Sequence, residues 1–90
     1  MILIENKIIQ EAFINIRKNL SKLKLYASTR PKYVDIHNNL TDTYRELIGD
    51  QMWMHGNSYE FQEKITERIL DLDSDLRKIL LSIFNEDNVN

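Results

Sequence analysis

Cysteine is absent from this 90-residue chain, proline occurs once, glycine twice and tryptophan once, and no apolar run is longer than the four residues Met1 to Ile4. Without cysteine there is no disulfide, no cysteine-ligated zinc and no thiol nucleophile, so stability has to come from packing alone. At this length packing means one core. The chain is expected to be a single domain, residues 1–90, near the lower limit at which an unstapled core holds a fold. The apolar start is broken at Glu5, too soon for the core of a signal peptide or a membrane span, and the expectation is an unprocessed, soluble, cytoplasmic protein. Scarce proline and glycine leave few places to interrupt a helix, namely Pro31, Gly49 and Gly56.

What fills the space between those breaks is helical periodicity. Ile8, Ile9, Ala12, Phe13, Ile16, Leu20, Leu23 and Ala27 step by three and four, as one face of a helix over about residues 4–28 does. Ser28 and Thr29 offer N-cap oxygens and Pro31 suits a first helical turn, so a second helix is expected over about 31–55. Tyr33, Ile36, Leu40, Tyr44 and Leu47 form its face, with Met54 as an extension. Gly49 is a weak interior point, and a break there would give four helices instead of three. Gly56 suits a left-handed turn, and Asn57 followed by Glu60 has the spacing of a capping box opening a third helix over about 58–85. Phe61, Ile65, Ile69, Leu72, Leu76, Leu80 and Ile83 give that helix the cleanest apolar face. Three helices of roughly 25 residues with short connections predict an all-α antiparallel bundle. Apolar positions repeating at eleven residues, as in Phe61, Leu72 and Ile83, favour straight helices over a left-handed supercoil.

A second apolar set falls off these core faces. Leu3, Ile14 and Leu25 lie eleven apart on the far side of helix 1, and Tyr59, Leu70 and Leu81 repeat the pattern on helix 3, with Val34 and Met52 off the core side of helix 2. Exposed ridges of this kind mark interfaces, so these six positions of helices 1 and 3 are the candidate partner-binding residues. Charge is segregated too. Residues 1–34 carry Lys7, Arg17, Lys18, Lys22, Lys24, Arg30 and Lys32 against Glu5 and Glu11, while the remainder is strongly acidic and the whole chain has a formal net charge of -2. Opposite signs could order helix 1 between the other two, or steer a charged partner. Arg17, Lys18, Lys22 and Lys24, with Tyr26 and Tyr33 nearby, are candidate phosphate contacts.

Motifs of defined chemistry are sparse. Arg30 and His37, with six residues between them, have the spacing of the arginine and histidine in the helical ribonucleases called HEPN domains, and the resemblance covers eight residues. It implies a metal-independent RNA-cleaving site assembled by dimerisation, with Arg30 stabilising phosphate charge and His37 moving protons. Trp53-Met54-His55-Gly56 resembles the turn of the small secreted helical hairpins called WXG proteins, which implies a secreted protein, although here the spacing differs by one residue and the aromatic-to-acid secretion signal is missing after Phe84. Asp71, Asp73 and Asp75 have the opening spacing of a calcium loop, but Leu76 stands where its glycine belongs and Ser82 where its closing glutamate belongs. Neither His37 nor His55 has a carboxylate or second histidine at chelating spacing, so no metal and no cofactor is expected.

Together these features describe a small acidic helical bundle that is expected not to be an enzyme and to take no small-molecule substrate. Its expected role is a protein-binding regulator or inhibitor of the immunity-protein, antitoxin or phage-encoded kind, acting through an exposed apolar helix ridge on another protein or on a second copy of itself. Nucleic-acid binding, including the HEPN-like arrangement, is the alternative, and the secreted WXG-like protein a second one.

Overall fold

The computed structural model describes residues 2–53 and 56–88, with side chains from Lys7 onward. Among them the chain forms α1 (Ile2–Thr29), a 3-10 turn (Pro31–Tyr33), α2 (Val34–Met52) and α3 (Tyr59–Asp87). This is an all-α bundle of three helices, as the periodicity predicts. Arg30 and Lys32, where the chain turns back after α1, bond Asp87 and Glu86 at the end of α3, whereas Arg68 in the first half of α3 reaches Glu46 and Asp50 near the end of α2. The helices therefore run up, down and up, with α2 antiparallel to its neighbours. The bundle is long and narrow, 50 × 21 × 17 Å.

The core is built chiefly between α1 and α3. Ile9, Ile16 and Leu23 of α1 and Ile69, Leu76 and Ile83 of α3 are fully buried, joined in one core by Ala12, Phe13, Leu20, Ala27, Ile65 and Leu72. Each such aliphatic side chain removed from water contributes about 1.5–3 kcal/mol. From α2 only Leu47 is fully buried, and Leu40 and Tyr44 are half-buried against the core. Tyr44 meets Phe13 edge to face, ring centroids 5.9 Å apart at 65°, which fixes α2 against α1. Ile8 and Ile36, expected inside, are exposed. Ile8 follows Lys7 about 100° around α1 from Ile9 and misses the narrow arc that three helices can cover; Ile36 borders a cleft between α2 and α3.

The local signals at the helix ends need correction. Ser28 and Thr29 do not cap the second helix. Both finish α1, their hydroxyls donating back to the carbonyls of Leu25 and Tyr26 at 2.6 and 3.3 Å. Arg30 takes the cap position without a side-chain cap bond, and Pro31 opens a 3-10 turn instead of the α-helix itself. Helix 2 runs through Gly49 to Met52, so there is no fourth helix among the described residues. Its expected continuation to Met54 and His55 lies outside them. The third helix is capped one residue later than the Asn57–Glu60 box implies: Ser58 Oγ accepts from the Phe61 amide at 3.2 Å. Asn57 instead folds back on the Trp53 carbonyl, while its own carbonyl accepts from Gln62. Gly56 is left-handed as expected, with φ 90°.

Candidate functional site

The predicted ridges separate into different surroundings. The side chain of Leu3 lies outside the described residues. Ile14 and Leu25 are exposed, 54% and 73%, yet they do not share a surface feature: Ile14 borders a cleft of about 350 Å³ between α1 and α2 with Phe13, Arg17 and Ile48, whereas Leu25 stands alone. On α3 the exposed apolar residues keep to one side of the helix, spaced about 16.5 Å apart at eleven residues, with Gln62, Glu63, Thr66 and Glu67 beside Tyr59. Tyr59, Leu70 and Leu81 are exposed by 62%, 39% and 58%, and Phe84, one turn beyond Leu81, by 57%. Phe84 escapes an eleven-residue count, although its position three after Leu81 puts it on the same side of the helix.

Elsewhere on α3 lies the one buried charged residue among those described. Asp73 Oδ2 is 3.3 Å from Arg77 Nη2, and its Oδ1 has no partner among the described residues. An unsatisfied buried oxygen costs about 1–3 kcal/mol. The three aspartates have different surroundings: Asp71 is exposed, Asp73 buried, and Asp75 lines the cleft between α2 and α3. Only Asp73 falls four after Ile69 and three before Leu76, a spacing that places it within the apolar arc and could have been read beforehand.

The basic residues of α1 divide in the same way. Arg17 and Lys24 line a second cleft between α1 and α2, about 370 Å³, with Ser21 and, from α2, His37, Thr41 and Arg45. Lys18 and Lys22 are exposed elsewhere on the helix. Arg17 also borders the Ile14 cleft, so the two depressions follow one inter-helix groove, with cations and hydroxyls gathered toward His37 and Gln10 and Gln51 beside Ile14 and Ile48 at the other end. His37 Nδ1 lies 3.2 Å from Asn38 Oδ1 and its Nε2 3.4 Å from Thr41 Oγ1. Arg30 is not part of this group. Its guanidinium bonds Asp87 at 2.6 Å and lies over the Tyr26 ring, so the structure gives Arg30 and His37 separate settings and not a shared one.

Where the chain turns between α1 and α2, a polar clasp holds it to the end of α3. Lys32 Nζ and the Tyr33 hydroxyl donate to the two oxygens of Glu86, each at 2.8 Å. Hydrogen bonding by Lys32, then by Tyr33, holds the Glu86 carboxyl below its ordinary range. The bond to Glu86 likewise raises the Lys32 ammonium and the Tyr33 phenol above theirs. Trp53, the first residue of the WXG-like turn, is 72% exposed; Met54 and His55 of that motif lie outside the described residues. Among the described residues no three of histidine, cysteine, aspartate and glutamate gather as metal ligands would, and no helix is long and apolar enough to cross a membrane.

Fold and surface thus define a class, a three-helix bundle bearing one apolar outer row and one basic groove. No protein-family model matches the chain, and neither a curated protein nor a solved structure does.

Proposed function

We propose that this protein is a small non-catalytic regulator that works by binding another protein through the outer row of α3. The observation that supports it is the alignment of Tyr59, Leu70 and Leu81 with Phe84, all exposed. An eleven-residue step advances about 20° around a helix, so these side chains stay on one side over its length. A monomer gains nothing from such a row, whereas covering it returns about 1.5–3 kcal/mol for each large side chain fully buried. The size of the chain suits an inhibitor of the immunity-protein, antitoxin or phage and mobile-element kind, acting in the cytoplasm. The α1 ridge contributes less to this reading, because Leu25 is isolated and Ile14 belongs to the α1–α2 groove.

The test is a double substitution, Leu81→Lys with Phe84→Lys, at positions too exposed to endanger the core. The tagged protein is used to capture partners from its native lysate after nuclease treatment, and its own mass is followed by light scattering. A protein captured in stoichiometric amount by the wild type and absent with the double variant, helicity being unchanged, is the expected result. If the row binds a second copy instead, the wild type is a dimer and the variant a monomer. Unchanged capture and unchanged mass would overturn the proposal.

A further inference from the structure

We propose that the cleft between α1 and α2 is a binding site for a phosphate ester. This site is independent of the α3 row and follows from how two helices place their side chains. Arg17, Ser21 and Lys24 follow one another at four and three residues on α1, and His37, Thr41 and Arg45 at intervals of four on α2. Each set therefore lies on one side of its helix, and the antiparallel packing brings the two sets together as the walls of a single cleft. Buried Leu20 and half-buried Tyr44 form its floor.

The composition of the walls is one-sided. Arg17, Lys24 and Arg45 are cations, His37 adds its two ring nitrogens, and Ser21, Thr41 and Tyr44 bring hydroxyls; among the described residues no carboxylate lines the cleft. In a chain with more acidic than basic residues this needs a structural cause. It is found in the two flanks of α2. Glu46 and Asp50 turn toward α3 and are both bonded to Arg68, leaving Arg45 on the α1 side without them. The ion pairs formed among the described residues use Arg30, Lys32, Arg68 and Arg77, and none uses Arg17, Lys24 or Arg45. Three cations facing a common space repel one another mildly, and an anion placed there relieves all three at once.

The kind of anion follows from the donors. Two guanidinium forks, an ammonium and the hydroxyls exceed what the two oxygens of a carboxylate can accept, but suit the oxygens of a phosphate, which arginine contacts in bidentate fashion. Along α1, Arg17 and Lys24 are separated by about 10.5 Å at 1.5 Å per residue, which leaves room for a phosphate together with the group it esterifies. Tyr44, in edge-to-face contact with Phe13, is the aromatic residue lining the cleft, and aromatic side chains are the usual stacking partners of bases. The phosphate ester is therefore that of a nucleotide, free or within a single-stranded nucleic acid.

The probes are adenosine monophosphate, a short fluorescent oligouridylate and, as an anion without phosphate, polyglutamate, each titrated in low salt. The expected result is that a phosphate probe binds, more weakly as salt rises, and that Arg17→Gln with Arg45→Gln weakens it about tenfold or more. The same double variant should flatten the salt dependence by about 0.7 in log K per log salt for each phosphate of a single strand that it no longer neutralises. Lys18→Gln with Lys22→Gln, which removes the same charge from outside the cleft, should leave affinity within about twofold of wild type. Binding of the mononucleotide as tight as that of the oligomer identifies a free nucleotide as the source; binding of the oligomer alone identifies a nucleic-acid strand. No binding of either phosphate probe, equal weakening in the two double variants, or equal affinity for polyglutamate would overturn the site. Arg45→Gln alone, at an exposed position that forms no ion pair among the described residues, guards against a folding defect in the double variant.

Discussion

The two ends of the bundle solve the same problem, returning the chain into a neighbouring helix, by different means. At the α1–α2 end, buried Tyr33 plugs the turn, and Lys32, Tyr33 and Arg30 fasten it to Glu86 and Asp87 at the end of α3. At the α2–α3 end the connection depends on local backbone devices: a left-handed Gly56, the Ser58 cap and the bonds of Asn57 to Trp53 and Gln62, with Met52, Trp53 and Tyr59 left in solvent. One end is held by contacts between elements distant in sequence, the other by contacts within a few residues. Long-range contacts are broken only when the bundle opens, while local ones can break alone, so the first end should share the global stability and the second should open below it.

The largest effect that can sharpen this difference comes from the core. Ile83, fully buried beside the clasped turn, and Ile65, buried toward the other end, are the same residue type on the same helix. Either truncation to alanine should cost about 2–5 kcal/mol, with Ile83→Ala nearer the upper value because its surroundings are pinned and cannot collapse into the cavity. Urea unfolding followed by circular dichroism measures both, and amide hydrogen exchange should show the first turns of α3 opening more readily than the last. Equal costs with uniform exchange would erase the distinction.

A smaller effect separates the two glycines. At Gly56 the positive φ means that alanine is strained even though a Cβ there would meet nothing within 4 Å, and Gly56→Ala should destabilise by about 1 kcal/mol. At Gly49 the surroundings are equally open but the backbone is helical, so Gly49→Ala should stabilise by about 0.5–1 kcal/mol. Opposite signs in thermal unfolding are expected. A gain at Gly56 would mean that the turn does not depend on the left-handed residue.

What was legible in the sequence follows the range of the forces involved. Helix number and the core of α1 and α3 are legible because a 3.6-residue period is a property of the chain itself, and the exposed positions Ile14, Leu25, Tyr59 and Leu81 follow from the same wheel. The caps are not, since the hydroxyls of Ser28 and Thr29 can serve either helix, and the choice falls to Tyr33, which buries itself only if the chain leaves α1 after Thr29. The basic groove is half legible. Arg17 and Lys24 stand out as cations of α1, but their meeting with Arg45 depends on the register of α2 against α1, which the Phe13–Tyr44 contact and the burial of Leu47 establish only on folding. The segregation of charge is used at the turn after α1, where Arg30 and Lys32 of the basic segment pair with Asp87 and Glu86, while along its length α1 is packed through its apolar face.

The clasp itself should give the smallest effect, because exposed ion pairs are screened by water and salt. Its signature is a dependence on pH with two limbs. Glu86, whose carboxyl is held low by Lys32 and then Tyr33, contributes stability that is present above the ordinary glutamate range and is lost as pH falls through the lowered value. Lys32 and Tyr33, raised chiefly by their bonds to Glu86, contribute below the ordinary lysine and tyrosine values and lose the contribution as pH rises through the raised ones. These are one set of bonds seen from its three members, so Glu86→Gln removes both limbs together. Thermal unfolding across pH should show wild type above the variant by a constant margin between about pH 6 and pH 9, narrowing at acid and at alkaline pH. A margin that stays constant into acid would mean that the Glu86 carboxylate is not bonded in the folded state, and the two ends of the bundle would then differ in packing alone.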